Sequence, residues 1–296
     1  MLAPPVSSPA SDYREGIDRL HMIMDRDDDR IARNARTALY VHGARSPWSV
    51  VLFHGLTNNP GQFLEFAPLL YVVGVNVIVP RMPLHGYADR MTDALKDLTA
   101  EVLLDAAYEA VDAAMGLGER VAVLGISMGG LLCAHLGQYR SDVATSVPVA
   151  PDFGLLRFSR GLTDVLCNIA LRLPNFFLWW DPRVKAAQGP ATAYPRFSTH
   201  ALMQTVRIGN AVYRAAKKTP AAAGRISTVV NVRDPAVNNA ATEQVVDRWK
   251  RLRSGSVDYI ELTNLPENHD IIDPGNNQAR IGLVYPKLID ILNLSP

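Results

Sequence analysis

VAVLGISMGG, residues 121–130, places Ser127 midway between two glycines, after an apolar run and ahead of a helix-like segment. A strand that turns sharply into a helix around a raised side chain needs residues without bulk two places on either side, because the two backbones nearly touch there. Residues 121–124 read as a fully buried strand, and residues 131–139 continue as a helix with an apolar stripe. The stretch therefore has the form of a nucleophile elbow.

Apolar runs of strand length recur along the chain, and helix-like segments lie between most of them. They are residues 37–42, 49–53, 75–80, 121–124, 143–149, 226–232 and 257–262. The first two are joined by GARSPW, a turn-rich connection that suits a hairpin. Strands that alternate with helices predict an α/β fold with a mainly parallel sheet, helices on both faces and active residues at the carboxyl ends of the strands.

The composition predicts one globular domain over residues 1–296, with 48% hydrophobic residues. The 30 basic and 29 acidic residues are mixed along the chain, which argues against a nucleic-acid surface and favours neutral or weakly charged partners. Residues 1–12 read as a flexible leader rather than a signal peptide, and no run approaches the length of a membrane span. The expectation is a cytoplasmic protein without stable membrane insertion, and a homodimer is left open.

One stretch breaks the alternation of strands and helices. Residues 153–220 lie between two predicted strands and are too long for a simple crossover, so they are predicted to form a cap. Within them, LPNFFLWWDP holds an aromatic density found nowhere else in the chain, and it includes Phe176, Trp179 and Trp180. These rings either attach the insertion to the main domain or line an apolar substrate pocket, and both roles are open.

A serine hydroxyl is a weak nucleophile at neutral pH, so Ser127 needs a base within hydrogen-bond reach, and that base needs an orienting partner. His269, in LPENHD, fits best of the seven histidines, because it stands in a loop after the last predicted strand and before the final helix. His54 and His85 belong to HG pairs, which are expected at turns on the pocket rim, and His135 is a residue of the helix after the elbow. His269 is therefore the predicted base.

Asp234 is the predicted orienting acid, because it directly follows the strand 226–232 in NVRDPAVNN. The chain order then becomes serine, aspartate, histidine, which is the order expected when a nucleophile elbow comes first. Asp152, which follows the strand after the elbow helix, is the main rival. Asp270 and Asp273 are too close to the histidine in one loop to be preferred.

Acyl transfer develops negative charge on the former carbonyl oxygen, and preorganised donors must meet it. One predicted donor is the backbone N–H of Met128, at the start of a helix where such groups are free. The other is expected after the strand 49–53, where FHGLTNNP lets the chain turn and expose the N–H of Leu56. Thr57 is the neighbouring alternative, and it is also a candidate substrate contact.

The motifs FHGLTNNP, PRMPLHGYADR, GISMGG, RDPAVNN and ENHD, in this spacing, resemble the serine-hydrolase branch of the α/β-hydrolase family. The likeness is strongest to bacterial carboxylesterases and monoacylglycerol-lipase-like enzymes, and it spans residues 49–293. It implies an eight-stranded, mostly parallel sheet with a cap inserted after the sixth strand, and hydrolysis of carboxylic esters without a cofactor or metal. Such esterases commonly carry HGFTG at the oxyanion turn, where this chain has HGLTN with Leu56 and Asn58.

The resemblance and the apolar cap together imply a small, uncharged acyl or aryl ester as substrate, with monoacylglycerol among the choices. An amidase or peptidase, a thioesterase and a carbon–carbon bond hydrolase are compatible with the same three residues. Two alternatives come from other classes, because fold alone does not prove chemistry. One is a catalytically silent protein that binds a small ligand, and the other is an interaction module that presents Trp179 and Trp180 to a partner or membrane surface.

Overall fold

The main feature of the structure, a computed structural model that describes residues 2–154, 160–187, 189 and 193–295, is a seven-stranded sheet. A second sheet of two short strands lies elsewhere in the described chain. In chain order, the main-sheet strands are β1 (Ala38–Tyr40), β2 (Ser46–Phe53), β3 (Asn76–Val79), β4 (Gly118–Ile126), β5 (Val143–Val149), β8 (Arg225–Asn231) and β9 (Val257–Leu262). The short pair is β6 (Phe177–Trp179) and β7 (Arg196–Ser198).

The strands of the main sheet lie in the order β1-β3-β2-β4-β5-β8-β9. All neighbours are parallel except β1, which runs antiparallel to β3. At the centre, Val51 of β2 lies opposite Ile78 of β3 and Val123 of β4. Parallel strands covered on both faces need apolar residues at nearly every position, which explains the continuous apolar runs in the sequence. The predicted α/β fold with a mainly parallel sheet is confirmed.

Two expectations about the strands are wrong. The main sheet of the described chain has seven strands rather than the eight that the resemblance implied, and the seven correspond to the seven apolar runs of the sequence. In addition, β1 and β2 do not form a hairpin. Residues 48–53 of β2 are all buried, and β2 takes parallel neighbours on both sides, so β1 is displaced to the edge beside β3.

The helices cover both faces of the sheet, as expected for this class. They are α1 (Tyr13–Met24), α2 (Phe66–Val72), α3 (Ala100–Leu117), α4 (Met128–Tyr139), α5 (Arg160–Ala170), α6 (Thr199–Ala215), α7 (Asn239–Leu252) and α8 (Ile281–Leu292). Alternate residues of β2 divide the core: Val51 and Phe53 pack in the cluster that includes α3 and α4, whereas Val50 and Leu52 pack in the one that includes α2 and α8. This alternation is the period-2 geometry of a strand between two helical layers.

The chain leaves the main sheet after β5 and returns at β8, so residues 150–224 form an insertion that includes the predicted cap 153–220. Residues 155–159, 188 and 190–192 of that prediction lie outside the described residues. The insertion follows β5, which is the fifth strand of the sheet in chain order instead of the predicted sixth. Its helix α6 is not peripheral, since Ile208 and Val212 are fully buried in the same core cluster as Leu131 of α4. Separation of a cap from the body stays a prediction.

The segment before α1 contacts the body of the molecule. The backbone N–H of Ser8 donates to Asp112 Oδ2 at 2.7 Å, and that of Ala10 donates to the Asp112 carbonyl at 2.9 Å. Asp12 then caps α1 by accepting from the Glu15 N–H. The flexibility predicted for residues 1–12 stays a prediction. Among the described residues, no helix is both long and apolar enough to cross a membrane.

Candidate active site

Ser127 lies at a sharp, strained turn between β4 and α4. Its φ of 58° and ψ of −115° fall outside the regions that most residues adopt. A Cβ built on Gly129 would stand 2.0 Å from the Phe53 carbonyl oxygen, and one built on Gly125 would stand 2.5 Å from the Gly129 carbonyl oxygen. Because real Cβ atoms cannot approach backbone so closely, both positions require glycine. The elbow geometry read from the sequence is present in the structure.

The neighbouring backbone holds the turn in place. The Ser127 N–H donates to the Val149 carbonyl at the end of β5 at 2.9 Å, and the Leu131 N–H donates to the Ser127 carbonyl at 3.0 Å. Met128 is the first residue of α4, where backbone N–H groups have no acceptor within the helix. Ser127 and Met128 both line one cavity, of about 910 Å³. The predicted nucleophile and the first predicted oxyanion donor thus adjoin one space.

His269 and Asp234 are brought together, although 35 residues separate them in the chain. His269 Nδ1 lies 2.8 Å from Asp234 Oδ2, and the aspartate side chain is fully buried. The other carboxylate oxygen, Oδ1, accepts from the backbone N–H of Ala236 at 2.8 Å. One oxygen is therefore held by the turn and the other faces the imidazole. This is the geometry in which an acid fixes the orientation of a histidine.

The loop that carries His269 is held from the end of β8 by a residue that has no motif. Asn231 Nδ2 donates to the carbonyls of Pro266 and Asn268, at 2.9 and 2.8 Å. Since Asp234 also follows β8, the same strand end positions both the acid and the histidine loop. Sequence reasoning missed Asn231, because a buried asparagine at a strand end has no recognisable spacing.

The charges around His269 favour its protonated form. Burial lowers the pKa of His269, but the charge of Asp234 and the hydrogen bond to it raise the pKa, and the charges of Asp270 and Asp152 add to this. The net direction is upward from the ordinary histidine value. Asp152, the rival acid, lines the same cavity, whereas Asp234 is the carboxylate seen 2.8 Å from the imidazole. Asp234 is thus hydrogen-bonded to His269, whereas Asp152 acts on the histidine through its charge.

The turn after β2 is held by a side-chain network that the sequence did not reveal. The Gly55 N–H donates to Gln62 Oε1 at 2.9 Å, and Gln62 Nε2 donates to Asp270 Oδ2 at 2.7 Å. Asn58 Nδ2 lies 3.2 Å from carboxylate oxygens of both Asp270 and Asp273. The turn that carries Leu56 is therefore connected to the residue directly after His269.

Asp273 has an unusual environment within this network. Burial and the nearby Asp270 charge together raise the pKa of Asp273 to about 6, although hydrogen bonds from Asn58 and the Gly275 N–H act to lower it. Two carboxyl groups near one amide are hard to ionise together, so one is stabilised in its protonated form. Residue spacing alone does not predict such a pair, because the pair depends on the fold of residues 268–275.

His54, His85 and His135 are buried, and their environment favours the neutral form. His54 Nε2 accepts from the Met82 N–H at 3.1 Å, so Nδ1 carries the proton and donates to the Gly55 carbonyl at 2.9 Å. Burial lowers the pKa of His54 well below its ordinary value and lowers that of His85 to about 4 and that of His135 to about 3. His54 thus supports the turn before Leu56 as a structural residue.

The cavity beside Ser127 has a volume of about 910 Å³. Leu56, Thr57, Met128 and His269 line it, and Trp180 and Leu202 from the insertion line its other side. Of the three candidate cap aromatics, Trp180 alone belongs to this lining in the described part of the chain. Phe176 is 58% exposed, and Trp179 lies half-buried on β6. Substrate contact by Phe176 and Trp179 stays a prediction.

Comparison with known proteins agrees with this architecture. A family model described as "Alpha/beta hydrolase family" matches residues 50–267, from β2 to the histidine loop. This chain belongs to the alpha/beta hydrolase family. The matched range includes Ser127 and Asp234 and ends two residues before His269.

Individual relatives of this family member are distant. The thermostable monoacylglycerol lipase of Bacillus sp. (strain H-257) is 25% identical over 169 residues, which are 56% of this chain and 64% of that protein. Among solved structures, one described with the metagenome-derived lipolytic enzymes LipS and LipT matches this chain with a TM-score of 0.66 and 18% identity. The match covers 90% of this chain and all of the other. Paleococcus ferrophilus monoacylglycerol lipase matches with a TM-score of 0.65 and 18% identity, covering 88% and 98%. At these identities the structural matches establish the fold.

Proposed function

We propose that this alpha/beta hydrolase cleaves carboxylic esters through an acyl-enzyme formed on Ser127. The observation that carries the proposal is the strained Ser127 at the elbow, in a cavity shared with a His269 whose Nδ1 is 2.8 Å from Asp234. A serine raised on a strained turn beside a histidine–aspartate pair suits nucleophilic acyl transfer. The lipase and esterase names among the related proteins support an ester as substrate.

In the proposed reaction, His269 Nε2 takes the hydroxyl proton as Ser127 Oγ attacks the ester carbonyl carbon. The oxygen of the tetrahedral intermediate receives hydrogen bonds from the backbone N–H groups of Met128 and Leu56. The carbon–oxygen bond to the alcohol breaks, and the alcohol leaves with the proton from His269. Water then attacks the acyl-enzyme with His269 as base and releases the acid, while Asp234 holds the imidazole orientation throughout.

The proposed substrate is an uncharged ester of short to medium acyl or aryl type, with monoacylglycerol as one member. The cavity is large enough for such a molecule, and Trp180, Ala193 and Leu202 of the insertion contribute apolar surface to its lining. Asp152 and Asp270 stand close enough to His269 to raise its pKa, so a substrate with a negative charge near the reacting carbonyl would be repelled.

A chain-length series of p-nitrophenyl esters, from acetate to laurate, tests the proposal with the wild-type chain and Ser127→Ala. We expect the substitution to lower kcat by about 10⁴- to 10⁶-fold, because the nucleophile is lost while binding is kept. Ser254→Ala, on the exposed turn between α7 and β9, is the matched control and should keep full turnover. Equal turnover by Ser127→Ala would refute the proposal.

A catalytically silent ligand-binding protein is separated from an enzyme by a second measurement. A fluorophosphonate probe reacts covalently with an activated serine, so it should label the wild-type chain and Ser254→Ala but not Ser127→Ala. Failure to label the folded wild-type chain, together with absent ester turnover, would favour the binding protein.

A further inference from the structure

Thr57, next to the predicted oxyanion donor Leu56, has a strained backbone. Its φ is 68°, in the left-handed region, which a β-branched residue rarely occupies. Such a conformation persists only where the surroundings hold it, and it is concentrated at functional sites. The groups that form hydrogen bonds with Thr57 therefore influence the orientation of the neighbouring backbone N–H groups.

Two of these groups come from the insertion rather than from the body. Trp180 Nε1 donates to Thr57 Oγ1 at 2.9 Å, and the backbone N–H of Tyr194 donates to the Thr57 carbonyl at 2.8 Å. Thr57 itself is buried, with 5% of its surface exposed, so the acceptor end of both hydrogen bonds is shielded from water, whereas Trp180 is 43% exposed. A shielded bond holds its geometry more firmly than one that competes with solvent.

Trp180 is in turn fixed within the insertion. Its ring packs on Phe197 of β7 with the ring centroids 4.3 Å apart, and its backbone N–H donates to the Pro195 carbonyl at 3.2 Å. Trp180 also lines the cavity beside Ser127. The same indole therefore touches the space for substrate with its ring and the turn with its N–H.

The other side of the turn is held by the body. Gln62 Oε1 accepts from the Gly55 N–H at 2.9 Å, and His54 Nδ1 donates to the Gly55 carbonyl. Leu56 thus lies between Gly55, which is bound by the body, and Thr57, which is bound by the insertion. The peptide planes around Leu56 are therefore bounded by hydrogen bonds from the body on one side and from the insertion on the other.

We infer that Trp180 is a positioning residue that sets the oxyanion turn through its hydrogen bond to Thr57. The inference rests on the proposed ester hydrolysis and deepens it. An acyl group that packs against the Trp180 ring steadies the bond between indole and threonine, and so favours the turn geometry that stabilises the transition state. The cap then affects the rate of the chemical step as well as the affinity for substrate.

The test begins with Trp180→Phe, which removes the indole N–H and keeps an aromatic ring against Phe197. We expect kcat on a p-nitrophenyl ester to fall about 10-fold, a fraction of the ~10²- to 10³-fold loss that follows removal of a whole oxyanion donor, with KM within about twofold. Thr57→Val removes the acceptor at nearly constant volume and should give the same fall. Thr57→Ser keeps the hydroxyl and should restore most of the turnover.

A double-mutant cycle distinguishes a specific bond from general damage. Because the two single changes break one contact, the double variant Trp180→Phe with Thr57→Val should be no slower than either single variant. The matched control is Trp249→Phe, which also deletes a hydrogen-bonded indole N–H, here to Gln138 Oε1 at 2.7 Å, in the buried body of the molecule. It should lower the melting temperature and leave kcat unchanged.

The outcomes separate this inference from the proposed function. Ser127-dependent turnover that Trp180→Phe leaves within about twofold, or losses that multiply in the double variant, would overturn the positioning role alone. Turnover that does not depend on Ser127 would overturn the proposed function, and the positioning role with it. A fall in kcat at steady KM, shared by Trp180→Phe and Thr57→Val and rescued by Thr57→Ser, supports the inference.

Discussion

The elbow segment 118–139 and the insertion 150–224 adjoin the same cavity but differ in construction. In the elbow, residues 128–138 of α4 are all buried, and two glycines admit no side chain because of backbone contacts. In the insertion, the described helix α5 exposes Leu162, Val165 and Ile169, each by more than two fifths. A closely packed segment holds a reacting atom in place, whereas a looser one can change with the substrate. We therefore expect the body to supply the reacting groups, and the insertion to set substrate preference and, through Trp180, to support the turn beside Leu56.

The largest expected effect lies in the body. Asp234→Asn keeps the size of the side chain but lets it donate to His269 Nδ1, which favours the wrong tautomer, so we expect kcat to fall about 10⁴-fold. Steady-state kinetics at neutral pH, together with a melting curve, measure the change. Asp152→Asn is the matched control in the same cavity, and an equal loss in that variant would assign the acid to Asp152 instead.

A change in the insertion away from Trp180 should alter substrate preference rather than the rate of the reaction itself. Leu202→Phe adds volume on α6 where that residue lines the cavity, so the ratio of kcat/KM for long over short acyl esters should fall about 10-fold. The ester series described above measures this ratio. Leu178→Phe makes the same exchange on β6 at a site that is 49% exposed, and it should leave the ratio unchanged. An equal loss of kcat/KM for every ester would contradict a role of Leu202 in acyl-chain preference.

The smallest expected effect is a shift in pH dependence. His269 must be neutral to accept the serine proton, so kcat/KM should rise with pH through the raised pKa of this histidine. Asp152→Asn removes one of the charges that raise the pKa, so the acid limb should move to lower pH. In a pH profile of kcat/KM, Asp152→Asn should therefore keep a larger fraction of its maximal value below neutral pH than the wild-type chain does. Movement to higher pH would contradict the assigned charge effect.

Local pattern was sufficient for the elements of the body. The apolar runs 143–149 and 257–262 form strands with the bounds that the sequence predicts. These segments are apolar runs between clear turn signals, so the local sequence is enough to specify their secondary structure. The segment between β2 and β3 instead divides into a 3₁₀ turn at Pro60–Phe63 and α2, and Asn59 accepts from the Gly61 N–H at the start of that turn.

The candidate site was recoverable only in part, and for a specific reason. Ser127 sits in a dense local motif, and Asp234 and His269 follow strands whose order can be read from the chain. Gln62 and Asn231 were missed because each binds backbone or side-chain groups that are distant in the sequence or carry no motif. A hydrogen bond across a fold leaves no periodicity in the chain.

The sequence by itself determined the α/β class, the strained serine turn and the chain order of serine, acid and histidine. Those features depend on apolar periods and on the absence of side chains at two glycines, which are local properties. Only the tertiary structure decided the seven-stranded order of the sheet, the 2.8 Å approach of His269 to Asp234 and the bond from Trp180 to Thr57. These contacts join residues 35 and 123 positions apart, and packing of whole elements sets such distances.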